Sequence, residues 1–284
     1  MSIMESHYLV SLCSNEKEAF QYLFQKKKEL TRNSCPRCGG QEFYFMNSGR
    51  LRCSNCKIDY NPFFDTAFVE LRISYVSWLL LIKLFELELS ARKASIQLGL
   101  SYPTTLRGFN ILRRSVLREL SRSDEVLRGE IEADESYFGG KRKGKRGRGA
   151  GGKTIVFGIL ERGGRVSVNI VKDVSSETLI HETVTKVRRG SIVYTDKWKG
   201  YDSLMFCGYR HLNIDHATRF KQEKVCINGV EGFWSFAKER LIKHHGISKN
   251  KFLLYIKEME WRYNNRDKNL FELLIKYMLG ADDL

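Results

Sequence analysis

The chain has 284 residues, with 48 Lys and Arg against 33 Asp and Glu, a formal net charge of +15, and 42% hydrophobic residues. That apolar content sustains folded cores and excludes a disordered chain, while the charge calls for a polyanionic partner, either nucleic acid or an acidic membrane surface. The apolar run from Trp78 to Phe85 is broken by Lys83 and is too short to span a bilayer. No basic-then-apolar leader opens the chain, so cytoplasmic residence without a membrane partner is expected.

Residues 14–28 carry apolar positions at helical spacing, Ala19, Phe20, Leu23 and Phe24, and lead into a cysteine-containing unit that ends near Pro62. Cys35 and Cys38 form one Cys-x-x-Cys pair and Cys53 and Cys56 another, with fourteen residues between the pairs. Two such knuckles present four thiolates tetrahedrally to one Zn²⁺, and because all four positions are Cys, none is left for a catalytic water. The zinc is therefore expected to be structural, within a first domain of residues 1–65. Four reduced core cysteines are the alternative.

Residues 66–125 keep the helical period, interrupted at Gly99 to Ser101 and around Pro103, and predict three helices. The last two, about the turn at Gly99, have the order of a helix-turn-helix, with Arg107, Arg113 and Arg114 on the second helix as candidate DNA contacts. Thr104, Thr105 or Arg107 at its start would reach base edges. An ordinary helical hairpin with a charged face is the alternative.

From residue 126 to residue 284 the pattern is that of a mixed α/β domain. Strands are predicted at 130–137, 154–161, 165–171, 191–195 and near 212–214, with a helix over 176–188. Asp134 stands inside the first strand, where an ionised carboxylate is costly unless paired or metal-bound. Asp196 ends the strand of residues 191–195. Glu231 follows after thirty-four intervening residues, in the first turn of an amphipathic helix that carries Lys238 two turns on. Three carboxylates converging from two strands and a helix would hold two Mg²⁺ or Mn²⁺ ions, with Lys238 placed to grip a phosphate. The order of elements is that of a ribonuclease-H-like fold. Directly after the Asp134 strand, residues 141–153 hold seven Lys or Arg and five Gly, a cationic arm in which Lys141, Arg142, Lys143, Lys145, Arg146 and Arg148 are candidate DNA contacts. Near the end, Trp261, Arg262, Tyr263, Asn264 and Arg266 close a final helix, placed either to grip nucleic acid or to pack a core.

These stretches, Cys35 to Cys56, 134–149, 194–201, 228–238 and 260–266, resemble the bacterial insertion-sequence transposases of the zinc-ribbon, ISXO2-like kind, whose acid-triad domain is ribonuclease-H-like. The resemblance implies that Asp134, Asp196 and Glu231 form the metal-binding triad, with Asn228 in reserve for the third place, and that Lys238 is the trailing basic residue. It also implies an enzyme that binds double-stranded DNA at terminal inverted repeats, hydrolyses a phosphodiester and joins the freed 3′-hydroxyl to target DNA, acting as a homodimer or higher oligomer and associated with the nucleoid when bound. Two alternatives remain: a ribonuclease-H-like nuclease or resolvase, and a non-catalytic zinc-ribbon regulator derived from a transposase.

Overall fold

The computed structural model describes residues 6–30, 34–46, 49–123, 125–139, 153–196, 205, 207–214 and 227–280. The chain divides into two compact units, Met1–Leu120 with Asn265–Leu284, and Ser121–Asn264.

In the first unit, α1 (Ser6–Leu12) precedes α2 (Glu16–Leu30). Asn15 caps α2 by accepting from the Glu18 amide, and acids in the first turn with lysines in the last follow the helix dipole. Its buried stripe runs Ala19, Leu23, Phe24 and Lys27. Lys27 is 1% exposed, donates to the Pro62 carbonyl at 2.6 Å and pairs with Asp65, so its charge is compensated where water cannot reach it. Strands β1 (Phe43–Phe45), β2 (Leu51–Cys53) and β3 (Asp59–Tyr60) form an antiparallel ribbon against which α2 sets Phe20 and Phe24, edge-on to Phe43 and Phe45.

Three helices follow: α3 (Tyr75–Glu86), capped by Ser74; α4 (Ala91–Leu98), capped by Ser90 and closed by Gly99; and α5 (Tyr102–Arg122). Sequence reasoning ended the chain's helices near Arg266, and the structure adds one more. This is α9 (Leu270–Leu279), capped by Asn269 and closed by Gly280, and it lies in the first unit rather than with the domain that precedes it in sequence. Its apolar face, Phe271, Leu274, Ile275, Met278 and Leu279, is buried, and Tyr22 and Lys26 of α2 reach its Glu272.

The second unit is built on five strands: β4 (Glu130–Phe138), β5 (Thr154–Glu161), β6 (Val166–Val171), β7 (Ile192–Asp196) and β8 (Arg210–Ile214), in the spatial order β6-β5-β4-β7-β8. The first three form an antiparallel meander, and β7 and β8 add in parallel to β4. Alternation splits the sheet into two faces. One buries Ile131, Ala133, Phe157, Ile159 and Val193 with Leu179 of α6 (Ser176–Lys186). The other buries Phe138, Val156, Leu160, Val168 and Tyr194 with α7 (Asn228–Leu241) and α8 (Lys249–Asn264).

The edge strand β6 is closed by side chains of α8. Glu260 accepts from the Val168 amide at 3.1 Å, and Asn264 both accepts from the Val166 amide and donates to its carbonyl, each at 2.8 Å. Trp261, the aromatic between them, is 1% exposed and therefore part of the core, as is Arg262, which pairs with Glu258.

Candidate active site and metal centre

The four cysteines are brought together. Their sulfurs lie within 4.8 Å of one another, Cys35 to Cys56 at 3.5 Å and Cys38 to Cys53 at 3.6 Å. Four sulfurs about 2.3 Å from a central zinc would stand roughly 3.8 Å apart, so the cage fits the ion without rearrangement. The amides of Cys56 and Asn55 point at the Cys53 sulfur and pull its pKa down to about 6, which favours the thiolate that a zinc ion needs. This is the metal cluster of a zinc ribbon.

Asp134 lies mid-strand on the face covered by α7. The pairing that joins Glu132 to Tyr194 carries Asp134, two residues on, level with Asp196 at the end of β7. Burial, with the charges of Glu135 and Asp196 adding to it and the Trp234 hydrogen bond working against it, pushes the Asp134 carboxyl from 3.8 up to about 7. One of its oxygens accepts from Trp234 Nε1 at 3.0 Å.

The helix α7 runs along β4 in the same direction, and three contacts fix the register. The Val230 amide donates to Glu132 at 3.0 Å, Trp234 donates to Asp134, and the Lys238 ammonium stands 5.8 Å over the Phe138 ring. Between the first two contacts four helix residues rise about 6 Å and two strand residues about 6.6 Å, so they stay in step, while the long Lys238 side chain reaches ahead to Phe138. Gly158, the β5 partner of Asp134, makes room for the indole, since a Cβ there would stand 2.6 Å from it. Gly229 lets the start of α7 approach Glu132, whose oxygen a Cβ would meet at 2.8 Å. Glu132 itself is 3% exposed and also accepts from Arg162 at 2.9 Å, and the Arg162 guanidinium lies 3.8 Å from the Tyr194 ring.

Glu231 and Lys238 flank Trp234 on one side of α7, three residues before and four after it, and both are exposed. Among the described residues the cysteines are the one group of three or more such ligands within 4.8 Å, so Asp134, Asp196 and Glu231 do not converge on a single point as the thiolates do. Asn228 opens the same helix. The candidates Lys141, Arg142, Lys143, Lys145, Arg146 and Arg148 lie outside the described residues, as does the segment directly after Asp196.

On α5 the structure corrects the expectation at Arg113. Its side chain is 1% exposed, donates to Asn110 at 3.3 Å and lies over Phe85 and Phe109, so it serves the core. Thr105, wholly buried, bonds back to the Ser101 carbonyl and reaches no base. Arg107 and Arg114 are exposed, and both are drawn to Glu70, the first through its carbonyl and the second through its carboxylate. Sequence reasoning missed Trp234 and Glu132. The signal for Glu132 was its place two residues before Asp134, on the same strand face.

The sheet order, three antiparallel strands followed by two parallel ones on the far side of the first, is the ribonuclease-H-like arrangement, here preceded in the chain by a zinc ribbon. Residues 126–264 match the ISXO2-like transposase domain, and residues 14–58 match the transposase zinc-ribbon domain. An uncharacterized transposase-like protein of Haemophilus influenzae is 40% identical over 118 residues, 41% of this chain and 96% of that protein. An uncharacterized protein in transposable element ISH50 of Halobacterium salinarum is 26% identical over 253 residues, 80% of this chain and 84% of that protein. The chain belongs to the ISXO2-like transposase family. Among solved structures, the catalytic core domain of BIV integrase aligns with a TM-score of 0.34 at 12% identity over 51% of this chain and 91% of that one. A pre-cleavage Mos1 transpososome aligns with a TM-score of 0.31 at 11% identity over 71% and 75%.

Proposed function

We propose that the chain is a metal-dependent DNA strand transferase that binds the terminal inverted repeats of its element, hydrolyses a phosphodiester there and joins the freed 3′-hydroxyl to target DNA. The observation that carries this reading is the half-buried Asp134, held by Trp234 and level with Asp196, in a domain matched to the transposase family. A carboxylate whose charge is penalised by burial and by neighbouring acids is a group that a divalent cation stabilises. Asp134, Asp196 and Glu231 offer the hard oxygen donors that Mg²⁺ or Mn²⁺ takes. Two ions about 4 Å apart need a wider ligand spread than one, in keeping with acids that do not meet at a point. When bound, such ions would lower the pKa of an attacking water or hydroxyl and neutralise charge on the leaving oxygen.

The chain's own residues then have separable tasks. Trp234 fixes the orientation of Asp134 by occupying one oxygen. Glu132 holds the start of α7, and with it the placement of Glu231. Lys238, one turn beyond Trp234, supplies a cation for a substrate phosphate. Zinc in the ribbon holds the first unit in shape for DNA or protein contact, and paired element ends call for at least a dimer.

The test is incubation of the purified protein with a labelled duplex bearing the element end, in Mg²⁺ or Mn²⁺, comparing wild type with Asp134→Asn and Asp196→Asn. Cleavage and joining by wild type, both lost in the variants while DNA binding persists, are expected. Cleavage without joining would replace this reading with a nuclease. Specific binding with no metal-dependent chemistry would leave a DNA-binding regulator.

A further inference from the structure

Several arginines of the chain are bound to acids: Arg52 to Asp59, Arg114 to Glu70, Arg162 to Glu130 and Glu132, Arg165 to Glu125, and Arg262 to Glu258. Three are not. Arg128, Arg188 and Arg189 are exposed, and none of their guanidinium groups has a hydrogen-bond or ion-pair partner among the described residues. They gather around one open concavity of about 440 Å³ at the starts of β4 and β7, with Glu161 as its single acid.

The platform that carries them is braced. The Leu127 amide donates to the Lys186 carbonyl at 2.9 Å, the Arg188 amide to the Leu127 carbonyl at 2.8 Å, and the Ile192 amide to the Gly129 carbonyl at 2.9 Å. Beneath them the Tyr209 hydroxyl donates to the Val187 carbonyl at 2.9 Å, and Ser191 Oγ to the Arg188 carbonyl at 2.7 Å. Three like charges are thus held close by backbone bonds, with Glu161 the one acid among the lining residues to offset their repulsion. Such an arrangement is stabilised by an anion from outside the chain.

We infer that this basin binds the phosphodiester backbone of a DNA duplex. Guanidinium forks take phosphate oxygens two at a time, and three forks around one concavity suit successive phosphates rather than one small anion. The placement also suits a duplex. Gly129 lies five residues before Asp134 and Ser191 five before Asp196, a strand distance of about 17 Å, which is roughly five base-pair steps. DNA engaged at the aspartates therefore reaches the basin along the sheet. The inference rests on duplex DNA being the partner, but not on any step of catalysis.

The experiment is fluorescence anisotropy of the full chain, zinc-loaded and without catalytic metal, with a labelled element-end duplex over a series of KCl concentrations. Wild type is compared with R128A/R188A/R189A and with K172A/K249A/K251A, which removes the same charge from other exposed positions of the same unit. Each lost phosphate contact lowers the slope of log K against log salt by about 0.9, so the arginine variant should lose up to about 2.7 and the lysine variant much less. Should the triple variant not fold, Arg128→Gln with Arg189→Gln retains the side-chain stems and should lose up to about 1.8.

Equal losses in the arginine and lysine variants, or an unchanged slope in the arginine variant, would overturn the inference and leave DNA as the partner. Millimolar inorganic phosphate that displaces duplex from wild type at constant ionic strength, but not from the arginine variant, would assign the basin to free phosphate instead. No salt-dependent duplex binding by wild type would overturn both this inference and the proposed function.

Discussion

Replacing Asp134 by Asn should stabilise the metal-free protein, by an amount that depends on pH in a fixed direction. Burial and neighbouring acids raise the Asp134 carboxyl from 3.8 to about 7. A raised acid favours the fold while protonated, so its contribution is complete below about pH 4 and is lost as pH climbs through 7. A rise of that size corresponds to about 4 kcal/mol, reduced to roughly 2–3 kcal/mol by partial solvent access. Asn does not titrate and keeps an oxygen for the Trp234 N–H. Urea unfolding, followed by tryptophan fluorescence in resin-treated buffer with zinc left bound, should therefore show the variant equal to wild type at pH 4 and more stable by about 2–3 kcal/mol at pH 8. Adding Mn²⁺ at about 100 times its dissociation constant should return about 2.7 kcal/mol to wild type alone. A variant no more stable at pH 8 than at pH 4 would refute the reasoning, because Asp134 would then carry no penalty for a metal to relieve.

Trp234→Phe keeps a ring beside Phe138 and removes the N–H that holds Asp134; turnover should fall about 10- to 100-fold with little change in the KM for DNA, measured by steady-state cleavage. Gly158→Ala forces the indole off the sheet and should cost about 1–3 kcal/mol in urea unfolding, with the same loss of turnover. Glu132→Gln leaves the Arg162 charge without one of its acids and loosens the start of α7, so a loss of about 2–4 kcal/mol is expected by the same unfolding assay. Removing zinc with a strong chelator should unfold the ribbon while leaving the sheet unit intact, seen as proteolysis confined to residues before about 66. Cleavage spread evenly along the chain would contradict that division.

The parts of the molecule legible in the sequence are those whose constraints are local. The ribbon follows from two cysteine pairs, and the strands from period-two alternation bounded by Gly and charge. The register of α7 on β4 was hidden because it joins residues about 100 apart, and a tryptophan in an apolar stripe gives no sign that its N–H meets a carboxylate. Arg113 was misplaced for a different reason. It sits four residues after Phe109 and three before Val116, in line with the buried stripe of α5, and helical spacing outweighs the expectation that arginine faces water. The helix α9 was missed although its apolar spacing, its Asn cap and its closing Gly mark it in the sequence. Its position in the first unit was not legible, because nothing in a local pattern says which core a terminal helix will fill.

The closure of β6 bears on how copies of this chain meet. An open strand edge offers its amides and carbonyls to any extended segment, and is a common starting point for aggregation. Glu260 and Asn264 occupy those groups at Val168 and Val166, doing with two side chains what another strand would do with its backbone. The sheet cannot lengthen from that side, so association through shared strands is left to the outer strand β8. Every other mode of assembly must use side-chain surfaces. Under the proposed function, copies brought to paired DNA ends would then sit close together without that edge knitting them into a continuous sheet.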